Sequence, residues 1–203
     1  GLGLHRKSLP HEIKALQDRS PWPIVDHNPE QCIPIGVLDG IPIGFPEMLL
    51  NADHLITVGT IELHQYAGFS GGFKGLVIGC GSAEQIHALH HRDFLSQPGV
   101  LVGQLSKNPF REHLEQVGAL LPETTALQWI PGKGWIAGHP SPALKRGAEL
   151  LSPFYTVDEK SDLAVLSVPH SKAQNAYQAS RAATYLALSP IPPLNEGALI
   201  VVE

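Results

Sequence analysis

Leu163-Ala164-Val165-Leu166-Ser167-Val168 and Ala198-Leu199-Ile200-Val201-Val202 are two short apolar runs rich in β-branched residues, which read as strands. Residues 171–188 between them read as one long helix. Strand, helix, strand is a βαβ unit, in which a crossover joins two parallel strands. Working outward, Leu55-Ile56-Thr57-Val58 is a further β-branched run that fits a buried strand. Helices are predicted over residues 8–18, 45–52, 83–95 (capped by Ser82), 110–121 and 142–151. Hairpins are predicted over 33–43, turning at Asp39-Gly40, and over 127–136, turning at Pro131-Gly132-Lys133-Gly134. The fold class is α/β, with a mostly parallel sheet flanked by helices on both faces.

Composition narrows the function classes. The 203 residues are 43% hydrophobic and 16% charged, which marks a folded chain with enough length for one good core or two small ones. A net charge of −5 argues against a nucleic-acid partner, because phosphate binders carry a basic surplus. Cys32 and Cys80 are the only cysteines and form no CxxC pair, which points to a reducing cytoplasm. No apolar run approaches the roughly 18 residues of a membrane span. The chain opens on Gly-Leu-Gly-Leu-His and closes on an apolar strand, as a piece of something longer would. Eleven histidines need an explanation, since imidazole is both the common metal ligand and the acid/base active near neutral pH.

The chemistry concentrates between His64 and His91. Gly68-Phe69-Ser70-Gly71-Gly72-Phe73-Lys74 has the glycines of a phosphate-binding turn but not the P-loop pattern: Phe73 precedes the lysine and Gly75 follows it. Such a turn still exposes backbone N–H groups and lets a ligand approach closely. Lys74 then reads as a phosphate counter-charge, a Schiff-base amine, a covalent tether or a solvated lysine in a tight turn. His87, His90 and His91 fall on the predicted helix at spacings that share a face, where two of them could reach one metal or simply be solvated. His64 lies just past a strand, where α/β sites form. On the long helix, Gln178 and Arg181 share a face beside Tyr177; an amide and a guanidinium there could hold a small carboxylate, or be ordinary surface residues.

Taken together, Ile61-Glu62-Leu63-His64-Gln65-Tyr66-Ala67-Gly68-Phe69-Ser70-Gly71-Gly72-Phe73-Lys74, His5-Arg6, His90 and Asn175-Ala176-Tyr177-Gln178-Ala179-Ser180-Arg181 resemble the motifs of the nickel-dependent lactate racemase family, in the family's order. The resemblance spans nearly the whole chain and implies part of a two-domain racemase architecture. It implies a cofactor, the nickel-pincer nucleotide (a Ni(II) pyridinium-3-thioamide-5-thiocarboxylic acid mononucleotide), covalently bound at Lys74 in the turn of Ser70, Gly71 and Gly72. It makes His90 the metal ligand, His5 and His64 the catalytic acid/base pair, and Tyr177, Gln178 and Arg181 the substrate-binding group. Arg181 stands where the family has a lysine. Residues 1–140 would be the cofactor-binding portion of the catalytic domain, and 141–203 a βαβ portion carrying the substrate-binding helix at the start of a second domain. The implied partners are a small 2-hydroxy acid and the enzymes that build the cofactor, with no nucleic acid and no membrane. Two other readings compete: a non-catalytic nucleotide- or anion-binding homologue, and a zinc hydrolase using His64, His87 and His90.

Overall fold

Asp39 and Gly40 sit in the left-handed region, at φ 52 and 79, and reverse the chain between β1 (Ile33–Leu38) and β2 (Ile41–Phe45). This is the hairpin expected from the Asp-Gly pair. The structure, a computed structural model, describes residues 3, 4, 6–168 and 176–203; the side chains of Tyr177 and Gln178 also lie outside the description. Before the hairpin lies α1 (Pro10–Gln17), with Pro10 in its first turn. After it come α2 (Glu47–Leu50) and β3 (Leu55–Thr60).

β3 pairs in parallel with β6 (Thr124–Ile130), from Leu55 opposite Thr124 to Thr60 opposite Trp129. β6 continues antiparallel into β7 (Gly134–Gly138), giving a three-stranded sheet in the order β3-β6-β7. A parallel pair needs a long crossover, and here the crossover holds the chemistry. It contains β4 (Leu63–His64), β5 (Gly68–Phe69), α3 (Lys74–Val77), α4 (Ala83–Leu89), α5 (Arg92–Leu95) and α6 (Pro109–Gly118). After the sheet, α7 (Pro140–Leu151) leads to β8 (Ser161–Leu166), α8 (Ala176–Ala187) and β9 (Leu194–Val202), with β8 and β9 parallel. The βαβ reading holds, and the chain is mixed α/β with helices against its sheets. Parallel pairing joins β3 to β6 and β8 to β9, while the two hairpins are antiparallel.

Two apolar clusters fix the crossover. In the larger, Ile43 and Phe45 of β2 meet Phe73, Val77, Leu89, Phe110, Leu114 and Val117. In the smaller, Leu144, Ala148 and Leu151 of α7 pack with Ile61, Phe69 and Ile130. Phe110 and Leu114 are completely buried, and burying such a side chain contributes about 1.5–3 kcal/mol. The turn between Ile61 and Phe73 is therefore anchored at both ends by core residues.

Two expectations are corrected. Ile56 and Val58 are 67% and 63% exposed, so β3 is not buried on both faces. It is an edge strand: on its inner face Thr57 is buried and Leu55 packs, partly buried, against the larger cluster. The helix predicted over 83–95 is two. α4 ends at Leu89, and His91 adopts extended backbone and caps α5, its Nδ1 accepting the Asp93 N–H at 3.4 Å. His87, His90 and His91 therefore do not lie along one helix.

Candidate functional site

The site begins where β3 ends. Ser70 Oγ donates to the Thr60 carbonyl at 2.6 Å and accepts the Glu62 N–H at 3.0 Å, and the Ser70 N–H meets the Glu62 carbonyl at 2.8 Å. These bonds close a loop over residues 62–70, in which His64 pairs with Gly68. At its tip, His64 Nδ1 accepts the N–H groups of Tyr66 (3.3 Å) and Ala67 (3.1 Å). A nitrogen that accepts cannot carry the proton, so the neutral imidazole holds it on Nε2. Burial, and then the positive charges of Lys74 and Arg181, push the His64 pKa down to about 2, and the ring stays neutral.

Gly68 has φ 73, and a Cβ there would run into the backbone of Gln104. The chain then passes Gly71 and Gly72 into α3, which opens on Lys74. Burial lowers the Lys74 pKa to about 8, helped by the cations of Arg111 and Arg181 and opposed by Glu62. About a tenth of that amine is uncharged at pH 7, far more than for an ordinary lysine, and the uncharged form is the one a lysine nucleophile needs.

His90 caps the end of α4. Its Nδ1 lies 2.8 Å from the Ile86 carbonyl, which can only accept, so Nδ1 carries the proton and Nε2 keeps its lone pair. The ring packs edge-on against Tyr66 (6.0 Å) and Phe110 (5.6 Å), and Tyr66 in turn meets His64 edge-on at 6.0 Å. Arg181 reaches in from α8, its Nη2 donating to the Tyr185 hydroxyl at 3.1 Å. Its Nε is buried with no partner among the described residues.

Of the predicted residues, His64, Ser70, Gly71, Gly72, Lys74, His90 and Arg181 come together here. His5 lies outside the described residues, as do the side chains of Tyr177 and Gln178. Among the described residues, no three His, Cys, Asp or Glu side chains gather closely enough to hold a metal ion, so His64, His87 and His90 do not make a zinc site. Ser70 spends its hydroxyl on the backbone and acts as a brace.

Sequence reasoning missed the residues that hold the loop from behind. Asn108 caps α6, its Oδ1 accepting the Arg111 N–H at 3.2 Å, while its Nδ2 donates to the carbonyls of Tyr66 (2.8 Å) and Gln104 (2.9 Å). Arg111, 3% exposed, gives Nε to the Ala67 carbonyl (3.2 Å), Nη2 to those of Ala67 (3.1 Å) and Phe69, and Nη1 to that of Gly71 (3.3 Å). Asn108-Pro109 is a legible helix start, but nothing in the sequence distinguishes Arg111 from a surface arginine.

The family model described as the lactate racemase N-terminal domain matches residues 1–103, which include the loop, Lys74 and His90. The chain belongs to the lactate racemase N-terminal domain family. It is 29% identical over 196 residues to the lactate racemase of Thermoanaerobacterium thermosaccharolyticum, an alignment covering 90% of this chain and 46% of that protein. It is 39% identical over 64 residues to the lactate racemase of Lactiplantibacillus plantarum, covering 32% of this chain and 15% of that one. Among solved structures, the T. thermosaccharolyticum lactate racemase apoprotein superposes with a TM-score of 0.78 at 27% identity, covering 93% of this chain and 49% of that one. A Thermotoga maritima protein shares the fold, with a TM-score of 0.71 at 19% identity, covering 98% and 56%. The chain thus spans about half the length of the T. thermosaccharolyticum lactate racemase. Among the described residues, no helix of this family member is long and apolar enough to cross a membrane.

Proposed function

We propose that the whole protein is an isomerase, a racemase or epimerase of a small, lactate-like 2-hydroxy acid, working with a nickel-pincer nucleotide joined to Lys74. His90 carries the reading. Its Nδ1 proton is committed to a backbone carbonyl, so Nε2 keeps a lone pair that a metal could take. Metal-binding histidines commonly fix their second nitrogen in this way. The donor set fits the group: one free imidazole nitrogen for nickel, and one buried amine depressed to about 8 for the attachment. Beyond His90, the nickel ligands would come from the cofactor itself.

When bound, the nucleotide supplies an acceptor and donor of hydride for the substrate carbon that bears the hydroxyl. The chain's part is attachment, orientation and proton handling. Lys74 is the tether and His90 the nickel ligand. Ser70, Gly71 and Gly72 shape the turn against which the cofactor lies. Arg181, with Gln178 and Tyr177, holds the substrate carboxylate, a planar target for a guanidinium. His5 and His64 are the acid/base pair, one for each hand of the hydroxyl. His64 meets the substrate as a donor through Nε2–H. To take a proton at Nε2, the ring must first carry its own at Nδ1, so the amides of Tyr66 and Ala67 must turn away. In this reading residues 1–140 hold the cofactor and 141–203 bring the substrate helix. The cofactor-building enzymes are partners, and the setting is cytoplasmic.

The test is intact mass and metal analysis of the full-length protein, co-expressed with the cofactor-building enzymes. Added mass on the Lys74 peptide with about one nickel per chain supports the reading. An unmodified, nickel-free protein, under conditions that load a known lactate racemase, would leave a non-catalytic nucleotide- or anion-binding homologue.

A further inference from the structure

We infer that Arg111 is the positioning residue of this site: its guanidinium fixes the backbone that delivers Lys74 and sets a positive charge behind the amine. The inference rests on the reading of Lys74 as the tether.

The geometry is specific. Arg111 reaches three carbonyls of the loop, those of Ala67, Phe69 and Gly71. The Gly71 carbonyl is shared, accepting Arg111 Nη1 at 3.3 Å and the backbone N–H of Lys74 at 3.3 Å. One acceptor thus ties the guanidinium to the first residue of α3. Burying an arginine is costly unless its donors are filled, and burial pulls its pKa down to about 10 even with Glu115 beside it. The Glu115 carboxylate stands 3.6 Å from Nη1 and also accepts a hydrogen bond from the Ser141 hydroxyl of α7. A lysine, a single point charge, could not span three carbonyls as the planar fork does.

The charge acts on Lys74 together with others. Arg181 of α8 also disfavours the ammonium form, whereas Glu62, between β3 and β4, favours it. His64 and His90 sense the positive charge of Lys74 from the loop and from the end of α4. Of the cations acting on Lys74, Arg111 has the largest influence, and Glu115 is its counter-charge. A purely structural Arg111 and a charge-setting one therefore make opposite predictions for Glu115. Loosening the loop by either substitution would drive Lys74 toward the behaviour of an exposed lysine. If charge matters, Arg111→Gln removes a cation and raises the pH at which Lys74 reacts, whereas Glu115→Gln unmasks that cation and lowers it.

The experiment is competitive labelling of the full-length, cofactor-free protein with acetic anhydride across pH, read by peptide mass spectrometry against the exposed Lys160. In the wild type, Lys74 should reach half-reaction near pH 8, below the ordinary lysine range. Arg111→Gln should raise that midpoint by about one pH unit and Glu115→Gln should lower it, since a neighbouring charge is worth about 1–3 units. Arg111→Lys should restore part of the midpoint without restoring the wild-type labelling rate. Both neutral variants shifting the same way, or neither shifting, overturns the inference. If Arg111→Gln does not fold, Glu115→Gln decides alone: a lowered midpoint supports the inference, and an unchanged or raised one overturns it. The outcome is separable from that of the proposed function. Cofactor on Lys74 with no labelling response removes only the role of Arg111, and the opposite-signed response without loading removes only the cofactor reading.

Discussion

His64 Nδ1 lies 3.1 Å from the backbone nitrogen of Ala67 and accepts its N–H. The relationship fixes the tautomer, and it predicts that the ring stays neutral with its proton on Nε2 well below pH 6. Nitrogen-15 NMR of histidine-labelled protein checks this directly; a proton on Nδ1, or titration near the ordinary value, would refute it.

The same shift has a consequence for stability. The folded pKa of His64, about 2, lies below its unfolded value of about 6.5, so the unfolded chain binds the proton first as pH falls. The contribution of the neutral ring is present above about pH 6.5 and declines with acidification below it. Urea midpoints at pH 7.5 and 5.5 should fall less in His64→Gln than in the wild type. An equal fall in both would show that His64 does not carry this linkage.

Lys74→Ala should abolish cofactor attachment, while His64→Gln should load normally and lose turnover by about 10²–10⁴-fold, the usual worth of a general acid/base. Loading is read by intact mass. Equal cofactor mass on wild type and Lys74→Ala would move the tether elsewhere.

Arg181→Ala should raise KM with cofactor loading intact, because the carboxylate loses its charged partner. Steady-state kinetics of the loaded, full-length enzyme decide this, and an unchanged KM removes Arg181 from the substrate group.

Gly68→Ala should destabilise the fold by about 2 kcal/mol or more, from a left-handed backbone and a Cβ driven into the Gln104 backbone. Urea unfolding measures the loss. By contrast Gly132→Ala, also at positive φ but with open space around its Cβ, should show only the conformational part.

The sequence alone determined the local elements and the list of reactive groups. Asp39-Gly40 requires left-handed backbone and so announced its hairpin, and Ser82 marks a helix start because its hydroxyl accepts an orphan N–H group. The β-branched runs at 163–168 and 198–202 announced the parallel pair β8 and β9. The run of residues from His64 to Lys74, with His90 beyond it, was legible because glycines and reactive side chains at fixed spacings are properties of the chain itself. The break between His90 and His91 was not legible, since it depends on which ring nitrogen finds a carbonyl and which finds an amide. Nor was the exposed outer face of β3, because an apolar strand reads the same whether or not another layer covers it. Only tertiary structure decided that Arg111 and Asn108, some forty residues downstream, would hold the loop from behind. Local sequence carries propensity and spacing, whereas the burial that turns an arginine into a clamp, makes a lysine easier to deprotonate and holds a histidine in one tautomer is conferred by the rest of the fold.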